Sequence, residues 1–380
     1  MRLIHVQESS RLVGFIAIDS TIAGRACGGL RMSADVSTGE LALLARAMTL
    51  KYGLLGLPQG GAKAGIISDP EAPEGQRLQA LTTWARGAIV QLRSREYVPA
   101  PDMGTDNAAI RKVLQAAGVP PARRELQGER SGFYTALGVF LALESAAERL
   151  GKRLEGLTAI IEGFGKVGAS VAGLLAQAGV RIVGASNSGG AIYGGPFPAA
   201  AIQDLLRSPQ LSPPELLERP ADILIPCARH HSIHARNWPR VQAGIITPGA
   251  NCPVTAGAER ALIARGVFVF PDFVANCGGV LGGTMEFAGV AGRHIESFFR
   301  NELKARLVRL LADAGGAAAL RECATATALD RFAAVKQAAE FPSIASRAFG
   351  AGVALYRNGW LPRAAAAPLA LRYFARRVAK

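Results

Sequence analysis

The chain has 380 residues, 49% apolar and 19% charged, a balance that excludes disorder at a size where one core ordinarily divides into two domains. No apolar run reaches bilayer length and residues 1–10 lack a secretory core, so a cytoplasmic protein without a membrane partner is expected. The 43 Lys and Arg against 29 Asp and Glu leave a formal charge of +14, but the basic residues are scattered, which argues against a nucleic-acid face and fits an anionic cofactor equally well.

Residues 11–18, Arg-Leu-Val-Gly-Phe-Ile-Ala-Ile, are apolar and β-branched enough for a strand. A glycine pair follows, Gly28 and Gly29 between Cys27 and Leu30-Arg31, read as a turn into an arginine. Residues 37–52 carry a helical pattern with Leu41, Leu44, Ala45 and Met48 on one face and Ser37 or Thr38 as cap, which delivers Lys51 at the C-terminal end. A glycine-rich turn then presents Lys63 ahead of a short strand at 64–67. Two lysines in so apolar a run invite an explanation. Each can be a helix-edge residue whose stem snorkels over the core. The alternative is a desolvated amine working as acid, base or Schiff-base former, and the glycines around Lys63 favour that reading there.

Residues 75–94 read as one amphipathic helix. Residues 97–106 then end a strand at two prolines and set Asp102 in a fixed loop, where by position alone it reads as a turn or cap residue. The polar stretch 120–132 reads as an interdomain linker, and residues 135–150 as a helix closed by Gly151.

The second informative stretch begins at a buried-type strand, 157–162. Gly163-Phe164-Gly165-Lys166-Val167-Gly168 follows and opens a helix at 169–178, with another strand at 180–185. This is the dinucleotide fingerprint in its strand–turn–helix–strand setting: glycines for the turn and for close backbone approach, and a helix N-terminus for the pyrophosphate. Where NAD sites usually place an acid for the ribose, this chain has Asn187 between two serines, so NAD and NADP both stay open. Further strands at 222–226, 244–247 and 267–271 end in the loops that hold Cys227, Ala228, Asn251 and Asn276. The two asparagines are either turn residues or partners for a nicotinamide amide. His230, His231 and His234 have no spaced carboxylate, and the odd set of five cysteines has no CxxC pair, so neither a metal site nor a disulfide framework is expected. Residues 288–340 and the basic end 361–380 read as helical.

Taken together, these motifs resemble the glutamate/leucine/phenylalanine/valine dehydrogenase family over nearly the whole chain. They are Gly28-Gly29-Leu30-Arg31, the Lys51 segment, Pro58-Gln-Gly-Gly-Ala-Lys63, Pro101-Asp102-Met-Gly-Thr105, the glycine fingerprint, Gly249-Ala-Asn251, and Pro271 through Asn276 to Val280. The resemblance implies an α/β protein with an N-terminal substrate and oligomerisation domain (1–130, joined by helices in 340–380) and a Rossmann-type NAD(P) domain (131–339). It implies reversible oxidative deamination of an L-amino acid to its 2-oxo acid and ammonia by a homo-oligomer. By matching motif, Lys51 would bind the substrate carboxylate, Lys63 would activate the attacking water, and Asp102 would move protons at the amino nitrogen. Cys27, Gly28, Gly29, Val280 and Gly283 would line the amino-acid pocket. Thr135 would join the fingerprint residues at the dinucleotide.

The chain departs from glutamate-using relatives at two places. They carry a lysine before the glycine pair, here Cys27, and a serine three residues beyond the valine of the last loop, here Gly283. A glutamate side chain would then bury an unpaired carboxylate, at a cost of roughly several kcal/mol. The expectation is an apolar or aromatic substrate, with Gly282 and Gly283 vacating volume for it. A glutamate enzyme with a rebuilt clamp and a non-catalytic Rossmann-domain protein are the alternatives.

Overall fold

The computed structural model describes residues 1–120 and 130–378. Most of the linker expected at 120–132 falls on 121–129 and lies outside the described residues. Two compact units are present, one built from 1–120 with Glu286–Val290 and Thr327–Arg377, the other from Arg130–Met285 with Ala291–Ala326. Among the described residues the strands form one sheet in each unit.

The first sheet has the order β1-β2-β4-β3-β5, from Arg2–Glu8, Arg11–Ile18, Ala26–Ser33, Gly60–Ile67 and Tyr97–Pro101 numbered β1 to β5 along the chain. β1 pairs antiparallel with β2, whereas β3 lies parallel between β4 and β5. Two expectations change here. Gly28-Gly29 is not a turn but the middle of β3, and Lys63 is not in a turn but inside β4. Strand alternation explains the glycines. Ala26, Leu30 and Met32 of β3 and Ala62, Ala64 and Ile66 of β4 point to one side, where they bury against Leu81, Trp84, Ile110 and Val113. The opposite side receives Cys27, Gly29 and Arg31 from β3 and Gly61, Lys63 and Gly65 from β4.

That side is covered by helix α1, Thr38–Leu54, capped by Ser37, whose hydroxyl accepts from the Glu40 N–H at 3.2 Å. A side chain at Gly61 would meet Thr49 of α1 at 2.3 Å, so the small residue sets how close the helix lies. The helix expected over 75–94 is two, α2 (Glu74–Gly87) and α3 (Ile89–Arg93), broken at Ala88. α4, Asn107–Ala116, and the edge strand β1 have no counterpart in the sequence reading. The two prolines expected to end a strand lie within β5, which tolerates them as an edge strand with no ladder partner on its outer side among the described residues.

The second sheet is an open Rossmann arrangement. α5 (Ser131–Arg149) leads to β6 (Thr158–Glu162), α6 (Lys166–Gln177) and β7 (Arg181–Asn187). β8 (Gly190–Tyr193) turns back antiparallel, and β9 (Ile223–Pro226), β10 (Ile245–Ile246) and β11 (Phe268–Val269) extend the other side of β6 in parallel. The order β11-β10-β9-β6-β7-β8 puts the topological switch between β6 and β9, where an open α/β sheet holds its ligand. No helix among the described residues is long and apolar enough to cross a membrane.

Candidate active site

Lys63 and Asp102 meet in the first unit, with the ammonium 2.8 Å from the Asp102 Oδ2 oxygen. Lys63 is 3% exposed. β4 places it opposite Gly29, and a Cβ on Gly29 would sit 2.7 Å from the Asp102 Cβ and 2.9 Å from the Lys63 Nζ. Only glycine leaves the pair room to close over β3.

Asp102 does not hang in a free loop. Its N–H donates to the Thr105 hydroxyl at 3.0 Å, and that hydroxyl donates to the Leu30 carbonyl of β3 at 2.7 Å. The Met32 N–H then holds the Met103 carbonyl at 2.9 Å. Gly104, at φ +76, completes the turn where a side chain would strike the Met32 carbonyl.

Arg31 adds a third charge, one that its position beside the glycine pair does not announce. Arg31, 6% exposed, reaches the same Asp102 oxygen with Nε at 3.2 Å and joins Glu40 of α1 through its other nitrogen. Arg31 stands two residues beyond Gly29, and the strand period of two puts both on the site side; reading 28–31 as a turn hid this. Burial raises the Asp102 pKa, but the Lys63 and Arg31 cations outweigh it and hold the carboxyl at about 2. It stays ionised at neutral pH.

Lys51 lies in the last turn of α1, 4% exposed. Burial pushes the Cys27 thiol up, against a hydrogen bond from the Tyr52 hydroxyl. The Tyr97 hydroxyl donates to the Gly28 carbonyl at 2.9 Å.

In the second unit, Gly163 takes φ +89 at the end of β6, and a Cβ there would lie 2.6 Å from the Ala228 nitrogen. Gly165 caps α6 with open space where its side chain would be. Phe164 is buried, while Lys166 and Val167 stand in the first turn of α6, its N–H groups free for an anion. Gly168 packs on the Gly163 carbonyl. Thr135, in α5, donates to the Ser131 carbonyl at 2.9 Å. Asn187 ends β7, and its side-chain oxygen accepts from the Gly189 and Gly190 N–H groups at 2.8 and 3.2 Å, leaving its NH2 as the group to offer a ribose.

Across the switch point, the Cys227 N–H donates to the Glu162 carbonyl at 2.6 Å, and burial followed by the Glu162 charge pushes the Cys227 thiol up. Asn276 is 2% exposed, and its NH2 donates to the carbonyls of Gly249 at 3.2 Å and Ala250 at 2.8 Å and to the Asn251 side chain at 3.2 Å. Its Oδ1, fully buried, has no partner among the described residues. A buried acceptor without a donor is costly, and the amide NH2 of a nicotinamide is a donor of the right kind. A nicotinamide dinucleotide therefore fits the residues present.

Val280 and Gly283 stand on the helix Gly278–Phe287. Gly283 faces open space, but Gly282 does not vacate volume for a ligand: a Cβ there would sit 2.4 Å from the Tyr134 ring, which fills that room. No group of three or more His, Cys, Asp or Glu among the described residues could hold a metal ion.

With this geometry in hand, comparison with known proteins is direct. The model of the Glutamate/Leucine/Phenylalanine/Valine dehydrogenase family matches residues 130–196 and 199–341, and that of the Glu/Leu/Phe/Val dehydrogenase dimerisation domain matches residues 4–117. The chain belongs to this family of NAD(P)-dependent amino acid dehydrogenases. Its fold is the family's, an N-terminal dimerisation domain and a C-terminal Rossmann-like domain. It is 35% identical to a glutamate dehydrogenase of Aeropyrum pernix over 277 residues, 67% of this chain and 66% of that one. It is 31% identical to the catabolic NAD-specific glutamate dehydrogenase RocG of Bacillus subtilis over 291 residues, 70% and 68% of the two chains. The matches thus span about two thirds of these relatives' own length. Among solved structures, the hetero-hexameric glutamate dehydrogenase of Thermus thermophilus superposes with TM-score 0.76 at 25% identity over 88% of each chain. The L-tryptophan dehydrogenase of Nostoc punctiforme shares the fold with TM-score 0.61 at 24% identity over 88% of this chain and 96% of that one.

Proposed function

We propose that the protein is an NAD(P)-dependent L-amino acid dehydrogenase that oxidatively deaminates an apolar or aromatic amino acid, and runs the reverse amination. The buried Lys63–Asp102 pair carries the reading, because a cation and an ionised carboxylate 2.8 Å apart supply the acid and base that deamination needs. Lys51 holds the substrate carboxylate. Asp102, ionised, takes a proton from the substrate ammonium. A nicotinamide held at Asn251 and Asn276 would supply the hydride acceptor, so that the amino acid would be oxidised to the imine as the dinucleotide was reduced. Lys63, once it has released its own proton to solvent, orients a water and takes a proton from it as the oxygen bonds to the imino carbon. Asp102 returns a proton to the nitrogen, and the C–N bond breaks as the hydroxyl proton passes to the freed Asp102 carboxylate, so that ammonia and the 2-oxo acid leave. Gly163, Gly165 and the α6 N-terminus bind the pyrophosphate, Asn187 the ribose, and Asn251 with Asn276 the carboxamide.

Cys27 itself supports an apolar side chain, since a glutamate carboxylate reaching it would meet a thiol and the Tyr52 hydroxyl instead of a lysine ammonium at that position. One observation favours a second reading, glutamate itself: the curated relatives named above are glutamate dehydrogenases. We also expect copies of the chain to associate, as the dimerisation-domain match and the hexameric Thermus enzyme suggest. The test is reduced-nicotinamide absorbance with phenylalanine, tryptophan, leucine, valine and glutamate, each with NAD and NADP. Glutamate as the best substrate overturns the apolar reading. Silence with every pair overturns the enzyme and leaves a non-catalytic dinucleotide binder.

A further inference from the structure

The loop from Gly249 to Cys252 contains a backbone strain that nothing in the proposed chemistry explains. Cys252 has φ +50, a left-handed conformation that is unfavourable for a residue with a side chain. Its peptide is gripped from both sides. The N–H donates to the Asp272 Oδ2 oxygen at 2.9 Å, and the carbonyl accepts from the His231 N–H at 2.8 Å. Asp272 is 2% exposed, and its other oxygen takes a hydrogen bond from Arg321 at 3.0 Å. Arg321, on the helix Ala317–Glu340, also binds the buried Glu259. Four residues beyond Asp272, Asn276 holds the carbonyls of Gly249 and Ala250. One short segment, 272–276, thus clamps the loop at both ends with Asn251 between the clamps.

We infer that Asp272, braced by Arg321, is a positioning residue that holds Cys252 left-handed and so fixes Asn251 toward the nicotinamide. The inference rests on the dinucleotide reading of this unit. A buried aspartate that served only to neutralise Arg321 would not need a strained peptide as its second partner.

The test is titration of the full-length protein with NADH and NADPH by fluorescence, alongside steady-state kinetics, for wild type, Asp272→Ala, Arg321→Lys and Asp272→Ala/Cys252→Gly. Asp272→Ala is expected to weaken dinucleotide binding about tenfold, the loss of one charged hydrogen bond, with the amino-acid KM unchanged. Adding Cys252→Gly is expected to recover about fivefold, because glycine adopts φ +50 without the strain. Arg321→Lys keeps the charge but not the fork, so it remains foldable if Asp272→Ala is not, and should weaken binding a few-fold, about 1 kcal/mol or less. Unchanged dinucleotide affinity in Asp272→Ala, or no recovery with Cys252→Gly, overturns the positioning role. If the alanine variant does not fold, unchanged affinity in Arg321→Lys does so. Absence of binding by wild type removes the dinucleotide reading, and this inference with it.

Discussion

The two candidate half-sites are built from different materials. In the first unit the chemistry sits in side chains: Lys63, Asp102, Arg31 and Glu40 form one buried chain of alternating charge on the face of a sheet, and the glycines of β3 and β4 make room for it. In the second unit it sits in the backbone, at Gly163, at the α6 N-terminus, and in the loop carbonyls gathered by Asn276. A dinucleotide is large and is gripped along its length by many weak contacts, so main-chain geometry suffices. Proton transfer at a single nitrogen needs a group of defined charge at one point. The contrast predicts that the first unit tolerates no change of side-chain chemistry, and that the second fails when its backbone is forced.

The strongest test of the side-chain half is Lys63→Ala. It removes the group proposed to activate water and leaves Asp102 and Arg31 to each other, so kcat should fall by about 10³-fold or more, at the upper end of general-base effects. NADH affinity, measured by fluorescence in the same preparation, should stay within error. Substantial turnover in Lys63→Ala would break the division of labour between the units.

The backbone half is tested by Gly163→Ala. With φ +89 and the Ala228 nitrogen 2.6 Å from the new Cβ, alanine must push the β6 turn away from the β9 loop. Two effects of about 1–2 kcal/mol each, left-handed strain and displacement, together predict dinucleotide binding weaker by roughly 30-fold to several hundred-fold. An unaffected Kd would mean that the fingerprint does not hold the pyrophosphate.

The same contrast explains which features could be read in advance. The second unit was largely legible, because a fingerprint of glycines between a strand and a helix is local: every residue that matters lies within a few positions of the next. The first unit was legible in its residue types but not in its shape. Gly28-Gly29 looks like a turn, and only the pairing of β3 between β4 and β5 turns those glycines into room for side chains from elsewhere. The Arg31–Asp102 contact joins residues 71 positions apart, a distance no local period encodes. Gly282 failed for a similar reason, since the Tyr134 ring that fills its space comes from α5. β1 escaped notice because its alternation is weak: within it only Val6 is fully buried.

Charge at the candidate site of the first unit also leaves a pH signature. The Asp102 carboxyl is at about 2 in the folded chain against an ordinary 3.8. A depressed folded pKa adds stability that is complete above the unfolded value and is lost as pH falls through the folded one. For this shift the contribution is about 2 kcal/mol at neutral pH, with about half of it gone by pH 3. Denaturant midpoints of wild type and Asp102→Asn should therefore converge between pH 5 and pH 3. A difference that stays flat over that window would show that Lys63 and Arg31 do not hold the carboxyl down.

The smallest expected effect concerns what the first unit selects. If specificity is written in one side chain, Cys27→Lys should move it. The new ammonium would replace a thiol beside the Tyr52 hydroxyl, adding an ion pair to a glutamate side chain and burying an unpaired charge against leucine or phenylalanine. Competing costs shrink the gain, because the long side chain must be ordered next to two tyrosines, so the kcat/KM ratio of glutamate to phenylalanine should rise only about tenfold, roughly 1.4 kcal/mol. The Lys63-dependent loss and the dinucleotide Kd should not change with it. A ratio that stays put would place the choice of side chain elsewhere, with the open space at Gly283 the next position to fill, by Gly283→Ser.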